Sequence, residues 1–218
     1  MDDLPSSSFQ DAAYLKAHAG EQFRIALNRQ RFVLAQLYHN ALSADELEMA
    51  AEPKLASMKQ SLPAFIPDEA PADFWEDERF AVAELETFVI FQDDVKEISA
   101  GTLVLILDRM IRKMRRQFEL PPDLHAGQTC GHVKLTEAFQ VAANNFRHYE
   151  DWQDETIADA RRDKNLKTLR AAGVAYPTIG TACFEVLKAT KCRTYLDLEG
   201  QLYTVASDFE KIAFPKLQ

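Results

Sequence analysis

Several side chains that can exchange protons or bind anions lie close together in residues 144–152. If this segment is helical, Asn144 and His148 lie on one face, because residues three or four apart share a side of a helix. An imidazole exchanges protons near neutral pH, so His148 can act on a ribose hydroxyl or on a leaving oxygen. Arg147 can offset negative charge at a reacting phosphate, and Asn144 can orient the imidazole or donate to a phosphate oxygen. The predicted catalytic residues are His148, Asn144 and Arg147, and the predicted substrate contacts beside them are Asn145 and Asp151.

The same segment resembles the signature of HEPN domains. That signature is an arginine, then about four to six residues of which the first is often polar, and then a histidine. Asn144 matches the polar position and His148 matches the histidine, and residues 145–148 also look like an Asn-Tyr-Phe-Lys-His variant of the motif. The positions of the motif arginine hold Val, Ala and Ala at residues 141–143, so this sequence resembles a variant that lacks the arginine.

HEPN domains are all-helical bundles of bacterial toxin–antitoxin, abortive-infection and anti-phage systems, and many are metal-independent ribonucleases that work as dimers. The resemblance therefore implies a defence or toxin–antitoxin protein that cleaves RNA, as a homodimer or with a cognate protein partner. The alternative is an inactive HEPN relative that acts as a non-catalytic partner or regulatory protein.

Ordinary helix chemistry gives two further interpretations of residues 144–152. Asn and His side chains within a helical bundle often join neighbouring helices by hydrogen bonds, and Arg147 with Asp151 has the spacing of a common helix ion pair. The same residues can also form a surface for a protein partner. The sequence leaves these interpretations open beside the RNA-directed one.

Five cations between residues 109 and 116 form a second candidate site, in which Arg112, Arg115 and Arg116 are predicted substrate contacts. Cations near the end of a helix complement the helix dipole, so the cluster is either structural or an RNA-contact patch. Residues 68–97 are strongly acidic. That stretch is either a solvated helix face or a surface that docks a basic partner or mimics nucleic acid.

A loop that contains His125, Cys130 and His132 provides potential zinc ligands. Their spacing matches no standard structural zinc site, which needs a fourth ligand. An enzyme of another class with a metal in this loop is a third hypothesis, beside the prediction of no metal and no cofactor.

The composition indicates a globular protein of the cytoplasm. The chain has 218 residues, a net charge of −9, 47% hydrophobic residues and only seven Gly, which favours helices around one core. A negative surface repels phosphates, so nucleic acid can bind only at a local basic patch. We expect no membrane association, because the N-terminus lacks the features of a signal peptide and the longest apolar run is too short to span a bilayer. Three cysteines, an odd number, suit a reducing compartment.

The N-terminal part of the chain is predicted to form two helices. Residues 1–8 are expected to be disordered. Apolar residues then recur every three or four positions, which predicts one helix over about 9–42. Ser43 and Glu46 form a predicted capping box for a second helix at about 44–60.

The central part is predicted to be helical after a break. Three prolines between residues 63 and 71 predict an extended connection, because each disfavours helix in the residue before it. Residues 73–118 follow helical spacing, either as one long helix or as two antiparallel halves divided at 99–102, and we favour the division. Pro121 and Pro122 are expected to end the helix and begin a loop.

Four more segments complete the predicted fold. Three are helices, from about residue 132 through the candidate site, at about 155–172 and at about 178–191. The fourth, at 194–206, fits a helix or a tight hairpin, and the spacing of its apolar residues favours the helix. The sequence thus predicts an all-α, up-and-down helix bundle of about six or seven helices, with residues 9–218 in a single domain.

Overall fold

Seven helices make up nearly all of the part of the chain that the computed structural model describes, which is residues 7–62, 72–148, 160–174 and 181–215. The helices are α1 (Ser7–Ala17), α2 (Ala19–Ser61), α3 (Ala72–Gln117), α4 (Leu135–Arg147), α5 (Ala160–Ala171), α6 (Thr181–Ala189) and α7 (Tyr195–Ala213). Two short antiparallel strands, β1 (Thr129–Cys130) and β2 (Val133–Lys134), lie in the loop before α4. The all-α helix bundle predicted from the sequence is thereby confirmed.

The two longest helices, α2 with 43 residues and α3 with 46, are antiparallel neighbours. Lys59 of α2 forms an ion pair with Glu86 of α3 near one end of the pair. Near the other end, the side chain of Gln117 donates to that of Gln22 at 3.0 Å. These contacts show that the two chain directions are opposite.

Two predicted helix breaks are wrong. Ser43 lies inside α2 and does not cap a new helix, because Ala41 and Ala44 continue the buried stripe of that helix past it. Residues 99–102 lie inside α3. A division occurs instead at His18, between α1 and α2, where φ of −110° and ψ of 9° depart from helical geometry. The segment predicted as one helix over 9–42 is therefore split.

Gly101 shows why α3 continues through the predicted break. This residue is buried, and the ring of Phe146 from α4 occupies the space that a Cβ atom would fill. Its neighbour Ala100 is also fully buried. Gly101 therefore allows α4 to approach a continuous helix closely, and the packing outweighs the poor helix propensity of glycine.

α3 ends just before a residue whose backbone has the left-handed conformation. Glu119 has a φ of 57°, and the backbone N–H of Leu120 donates to the carbonyl of Arg115 at 3.1 Å. This pattern satisfies a carbonyl that the helix itself leaves unpaired. The predicted helix end before Pro121 and Pro122 is confirmed, and the cations near residue 115 lie in the last turn of α3.

The helical alternative for residues 194–206 is confirmed by α7. The hydroxyl of Thr194 accepts from the backbone N–H of Asp197 at 3.2 Å, and the Asp197 carboxylate accepts from the backbone N–H of Thr194 at 2.9 Å. This reciprocal capping box starts the helix. Leu198 and Leu202 then enter the core from one face, as their spacing of four residues requires.

Among the described residues, a cluster of buried side chains joins α2 and α3 to the shorter helices α4 to α7. Its fully buried phenylalanines, Phe118, Phe139, Phe184 and Phe209, come from the end of α3 and from α4, α6 and α7. α4 lies in the interior of the bundle and contacts α3, α5 and α6. The core therefore fixes the position and the rotation of α4, the helix that carries the HEPN-like residues.

Some predictions concern residues outside the described part of the chain. They are the disordered residues at the N-terminus up to residue 6, the extended connection at 63–71, Asp151, and the first residues of the helices predicted at about 155–172 and 178–191. The predicted disorder is wrong for residues 7 and 8, which belong to α1. Within the described residues, no helix is both long and apolar enough to cross a membrane.

Candidate functional site

The last turns of α4 carry Asn144 and Arg147 on one face, because these residues are three apart. Phe139 and Ala142, on the other side of the helix, are fully buried in the core. Their burial sets the rotation of α4 and directs Asn144 and Arg147 towards α3. The amphipathic pattern of the sequence thus positions both side chains.

Four side chains form a closed hydrogen-bonded ring between α3 and α4. The carboxylate of Asp108 accepts from Arg112 Nε at 2.9 Å and from Arg147 Nη2 at 2.8 Å. The Oδ1 atom of Asn144 accepts from Arg112 Nη2 at 3.2 Å and from Arg147 Nη1 at 3.0 Å. Asp108 and Asn144 therefore bridge the same two guanidinium groups and hold them in a defined relative position.

Asp108 is the buried member of this ring, with only 2% of its surface exposed. A carboxylate removed from water requires compensating cations and hydrogen bonds. The charge-assisted bonds from Arg112 and Arg147 provide them. Because two guanidinium groups share one carboxylate, the ring keeps a net positive charge.

A cavity of about 680 Å³ opens beside the ring. Five of its lining residues are arginines: Arg109, Arg112, Arg115 and Arg116 from α3, and Arg147 from α4. Leu105, Leu120 and Pro122 complete the described lining. We call this feature the arginine cavity. It concentrates positive charge in a chain whose net charge is −9, and such a cavity attracts anions.

Arg115 is the most deeply buried of these arginines, with 6% of its surface exposed. Among the described residues, its side chain donates to the backbone carbonyl of Leu124 at 3.3 Å and to no carboxylate. Burial lowers the pKa of Arg115 from its ordinary value and the neighbouring Arg112 lowers it further, whereas Asp108 and Asp123 act in the opposite direction. An anion that entered the cavity would stabilise this buried cation.

His148 is the C-terminal cap of α4 and directly follows Arg147. Its backbone N–H is shared between the carbonyls of Asn144 and Asn145, each at 3.2 Å, and its φ of −123° ends the helix. α4 therefore ends at Arg147 and His148 caps it, whereas the helix was predicted to continue through His148. His148 is exposed and is not among the described residues that line the arginine cavity.

Asn145 and residues 141–143 point into the protein. Asn145 is buried, its Oδ1 atom has no hydrogen-bond partner within the described residues, and it is not part of the described cavity lining. Residues 141–143, which occupy the positions of the absent motif arginine, are also buried. A guanidinium nevertheless reaches Asn144, because α3 supplies Arg112.

The loop residues His125, Cys130 and His132 are not gathered into a metal site. His125 is half-buried and burial lowers its pKa, burial raises the pKa of the Cys130 thiol to about 11, and His132 is exposed. Within the described residues, no group of three or more His, Cys, Asp or Glu side chains is arranged to hold a metal ion. The metal hypothesis therefore gains no support from the described geometry.

The structure brings five of the predicted site residues together: Asn144, Arg147, Arg112, Arg115 and Arg116. Sequence reasoning missed Asp108, although two signals mark it. It interrupts an apolar stretch of α3, and it precedes Arg112 by four residues, which is the spacing of a helix ion pair. Arg109 was visible in the basic cluster, but its place in the cavity lining was not.

The fold and the site together define an all-α helix bundle whose third and fourth helices form an arginine-lined cavity. Comparison of the chain with protein-family models, with curated proteins and with solved structures found no match.

Proposed function

We propose that this chain is an HEPN-like helical protein that binds RNA through phosphate groups in the arginine cavity. The observation that carries the proposal is that five arginines line one cavity of about 680 Å³ in a chain of net charge −9. Paired N–H donors of arginine match phosphate oxygens, and a local positive charge overcomes the repulsion from an acidic surface. The assignment to a bacterial defence or toxin–antitoxin system, as a homodimer or with a cognate partner, rests on the HEPN-like motif at residues 144–148.

The contact between α3 and α4 supports a link between the motif and the cavity. The HEPN motif combines an arginine with a polar residue and a histidine, and this chain has no arginine at residues 141–143. Arg112 reaches Asn144 from α3 at 3.2 Å and offers a guanidinium in its place. Asn144 then acts as a positioning residue, since its Oδ1 atom accepts from both Arg112 and Arg147.

In the catalytic form of the proposal, the protein is a metal-independent endoribonuclease. The 2′-oxygen of a bound ribose attacks the adjacent phosphorus, and the bond from phosphorus to the 5′-oxygen breaks. The products are a 2′,3′-cyclic phosphate and a 5′-hydroxyl. His148 takes the proton of the attacking hydroxyl, a water molecule gives a proton to the departing 5′-oxygen, and Arg112 and Arg147 balance the charge that develops on the phosphate.

The alternative is a non-catalytic partner or regulatory protein that binds RNA and leaves it intact. The closed ring favours this alternative, because Arg112 and Arg147 are already bonded to Asp108 and Asn144. Phosphate would then be held mainly by the other cavity arginines.

Anisotropy of a fluorescein-labelled single-stranded RNA, measured over a series of salt concentrations, tests the binding. We expect Arg109→Ala and Arg116→Ala each to weaken binding about tenfold and to reduce the slope of log K against log salt by about 0.7, since each removes one phosphate contact. The matched control is Lys113→Ala, which removes a cation from the same part of α3 but not from the cavity lining. Equal weakening by all three variants, or no binding by the wild type, refutes RNA recognition by the cavity.

Electrophoresis of the same RNA after incubation in EDTA tests the catalytic form. We expect His148→Ala to abolish cleavage and His39→Ala, which changes an exposed histidine of α2, to leave it unchanged. Cleavage that persists in His148→Ala contradicts the role given to His148. Binding without His148-dependent cleavage supports the non-catalytic alternative.

A further inference from the structure

α3 carries apolar side chains on two faces, and α2 covers one of them. On the covered face, Val82 and Ser99 are buried, and Lys96 forms an ion pair with Glu48 of α2. The other face begins at Phe80 and lies roughly half a turn away by helical geometry. The described part of the chain leaves this second face exposed to solvent.

The exposed face forms an open groove of about 510 Å³. It is lined by Phe80, Ala83, Glu84, Thr87, Phe88 and Phe91, which recur every three or four residues on one side of α3. The phenylalanines at 80, 88 and 91 are 65%, 38% and 59% exposed. Together they present roughly 300 Å² of aromatic surface, which is about the size of the largest apolar patch on a typical monomer, and such a patch is often functional.

Carboxylates dominate the charges around this groove. Between residues 77 and 98 there are seven acidic side chains and two basic ones. Of the acidic ones, Glu86 pairs with Lys59, Asp93 pairs with Lys96, and burial raises the pKa of Glu97, so the negative field comes mainly from the other four. One of the two basic side chains, Lys96, is buried and already paired with Glu48 and Asp93. Glu84 lines the groove and has no ion pair within the described residues. The groove is therefore an apolar stripe in a negative field.

We propose that this groove docks a basic amphipathic helix of a partner protein. The apolar side chains of the partner would lie between the phenylalanines, and its lysine and arginine side chains would meet Glu84 and the neighbouring carboxylates. A second copy of this chain suits the groove less well, because two acidic faces would bring like charges together. Docking of an amphipathic helix in an apolar groove is a common mode of protein recognition.

The length of the exposed stripe sets the length of the partner helix. From Phe80 to Ile98, which is also largely exposed, α3 rises about 27 Å at 1.5 Å per residue. A partner helix of about 18 residues would match this span. The proposal concerns a surface outside the arginine cavity and does not depend on RNA binding.

Isothermal titration of the full chain with a designed 18-residue helical peptide tests the proposal. The peptide carries leucine at i, i+3, i+4 and i+7 spacing and lysine at most other positions. We expect binding that weakens at least tenfold in the double variant Phe88→Ser/Phe91→Ser and in Glu84→Lys. The matched control is Phe32→Ser, which changes a side chain of α2 that is 81% exposed and should leave binding unchanged.

A scrambled peptide of the same composition separates docking from general attraction of cations to an acidic protein. Equal binding of the scrambled peptide, or binding unaffected by Phe88→Ser/Phe91→Ser, overturns the proposal. Sedimentation of the chain alone tests whether a second copy of the chain occupies the groove instead. A wild-type dimer that dissociates in Phe88→Ser/Phe91→Ser would assign the groove to a second copy and overturn it as well. Circular dichroism checks that each variant is folded, as expected for changes at exposed positions.

Discussion

Replacement of Asp108 by asparagine tests how far the ring between α3 and α4 stabilises the fold. The change keeps the shape and one acceptor oxygen, but it removes the negative charge that Arg112 and Arg147 share at 2.9 and 2.8 Å. The new NH₂ group would also face a guanidinium and place two donors against each other. We therefore expect Asp108→Asn to lower the free energy of unfolding.

The expected size follows from the burial of the three charged groups. Removal of one partner from a fully buried ion pair costs about 3–5 kcal/mol. Arg112 and Arg147 are each 35% exposed, so water stabilises the cations left behind. The cost should fall to about 2–3 kcal/mol, against a total stability of about 5–15 kcal/mol for a folded domain. In a chain of this size, the melting temperature should fall by about 4–12 °C.

Urea unfolding followed by circular dichroism measures this change, with an unchanged slope m as a check on two-state behaviour. Asp94→Asn is the matched control, because it removes an exposed carboxylate of the same helix. In the double variant Asp108→Asn/Arg147→Met, the loss should be smaller than the sum of the single losses, because one uncompensated cation is gone. A cost below about 0.5 kcal/mol for Asp108→Asn, or one equal to that of Asp94→Asn, would refute the reasoning.

Three further predictions concern packing, pH and capping. Gly101→Ala should cost about 1–3 kcal/mol in thermal unfolding, because a Cβ atom there would enter the ring of Phe146. Burial, and then Asp93, raises the pKa of Glu97 from 4.5 to about 8, so the folded protein holds a proton that the unfolded chain releases above pH 4.5. The contribution of this group to the free energy of unfolding therefore falls as pH rises from about 4.5 to 8. Glu97→Gln does not titrate, so over that window its free energy of unfolding should rise relative to that of the wild type by on the order of 2 kcal/mol, a figure that includes a discount for solvent screening. Thr194→Ala should lower the free energy of urea unfolding by about 1 kcal/mol, through loss of the capping box at the start of α7.

Each of these predictions has a clear control or contrary result. Gly200→Ala in α7 meets nothing within 4 Å and should be neutral or slightly stabilising, so an equal loss at Gly101 and Gly200 contradicts the packing argument. A stability difference between Glu97→Gln and the wild type that stays constant from pH 5 to pH 8 contradicts the pKa argument. Thr204→Ala, in the middle of α7, keeps the capping box, and a loss as large as that of Thr194→Ala would show that the box adds nothing.

The sequence alone was sufficient for the helical class and for most helix positions. Apolar residues spaced three and four apart identified α4 and α7, because a helix must bury one stripe and leave the other face to water. Thr194 and Asp197 add a local capping signal at the start of α7, and such signals act within a few residues of the chain. The basic cluster near residue 112 and the polar face at Asn144 were likewise visible without a structure.

Contacts between distant residues decided the rest. Ser43 and Gly101 look like helix breaks locally, but they lie inside long helices because packing partners elsewhere in the chain outweigh weak local preferences. In the same way, Asn144 and Arg147 were expected to work with residues that follow them on one helix. Tertiary packing instead places them against Asp108 and Arg112, which lie more than thirty residues earlier in the chain. The sequence alone predicted which side chains share a face of each helix. The arginine cavity depends on the tertiary structure, because the buried core sets the position of α4 relative to α3.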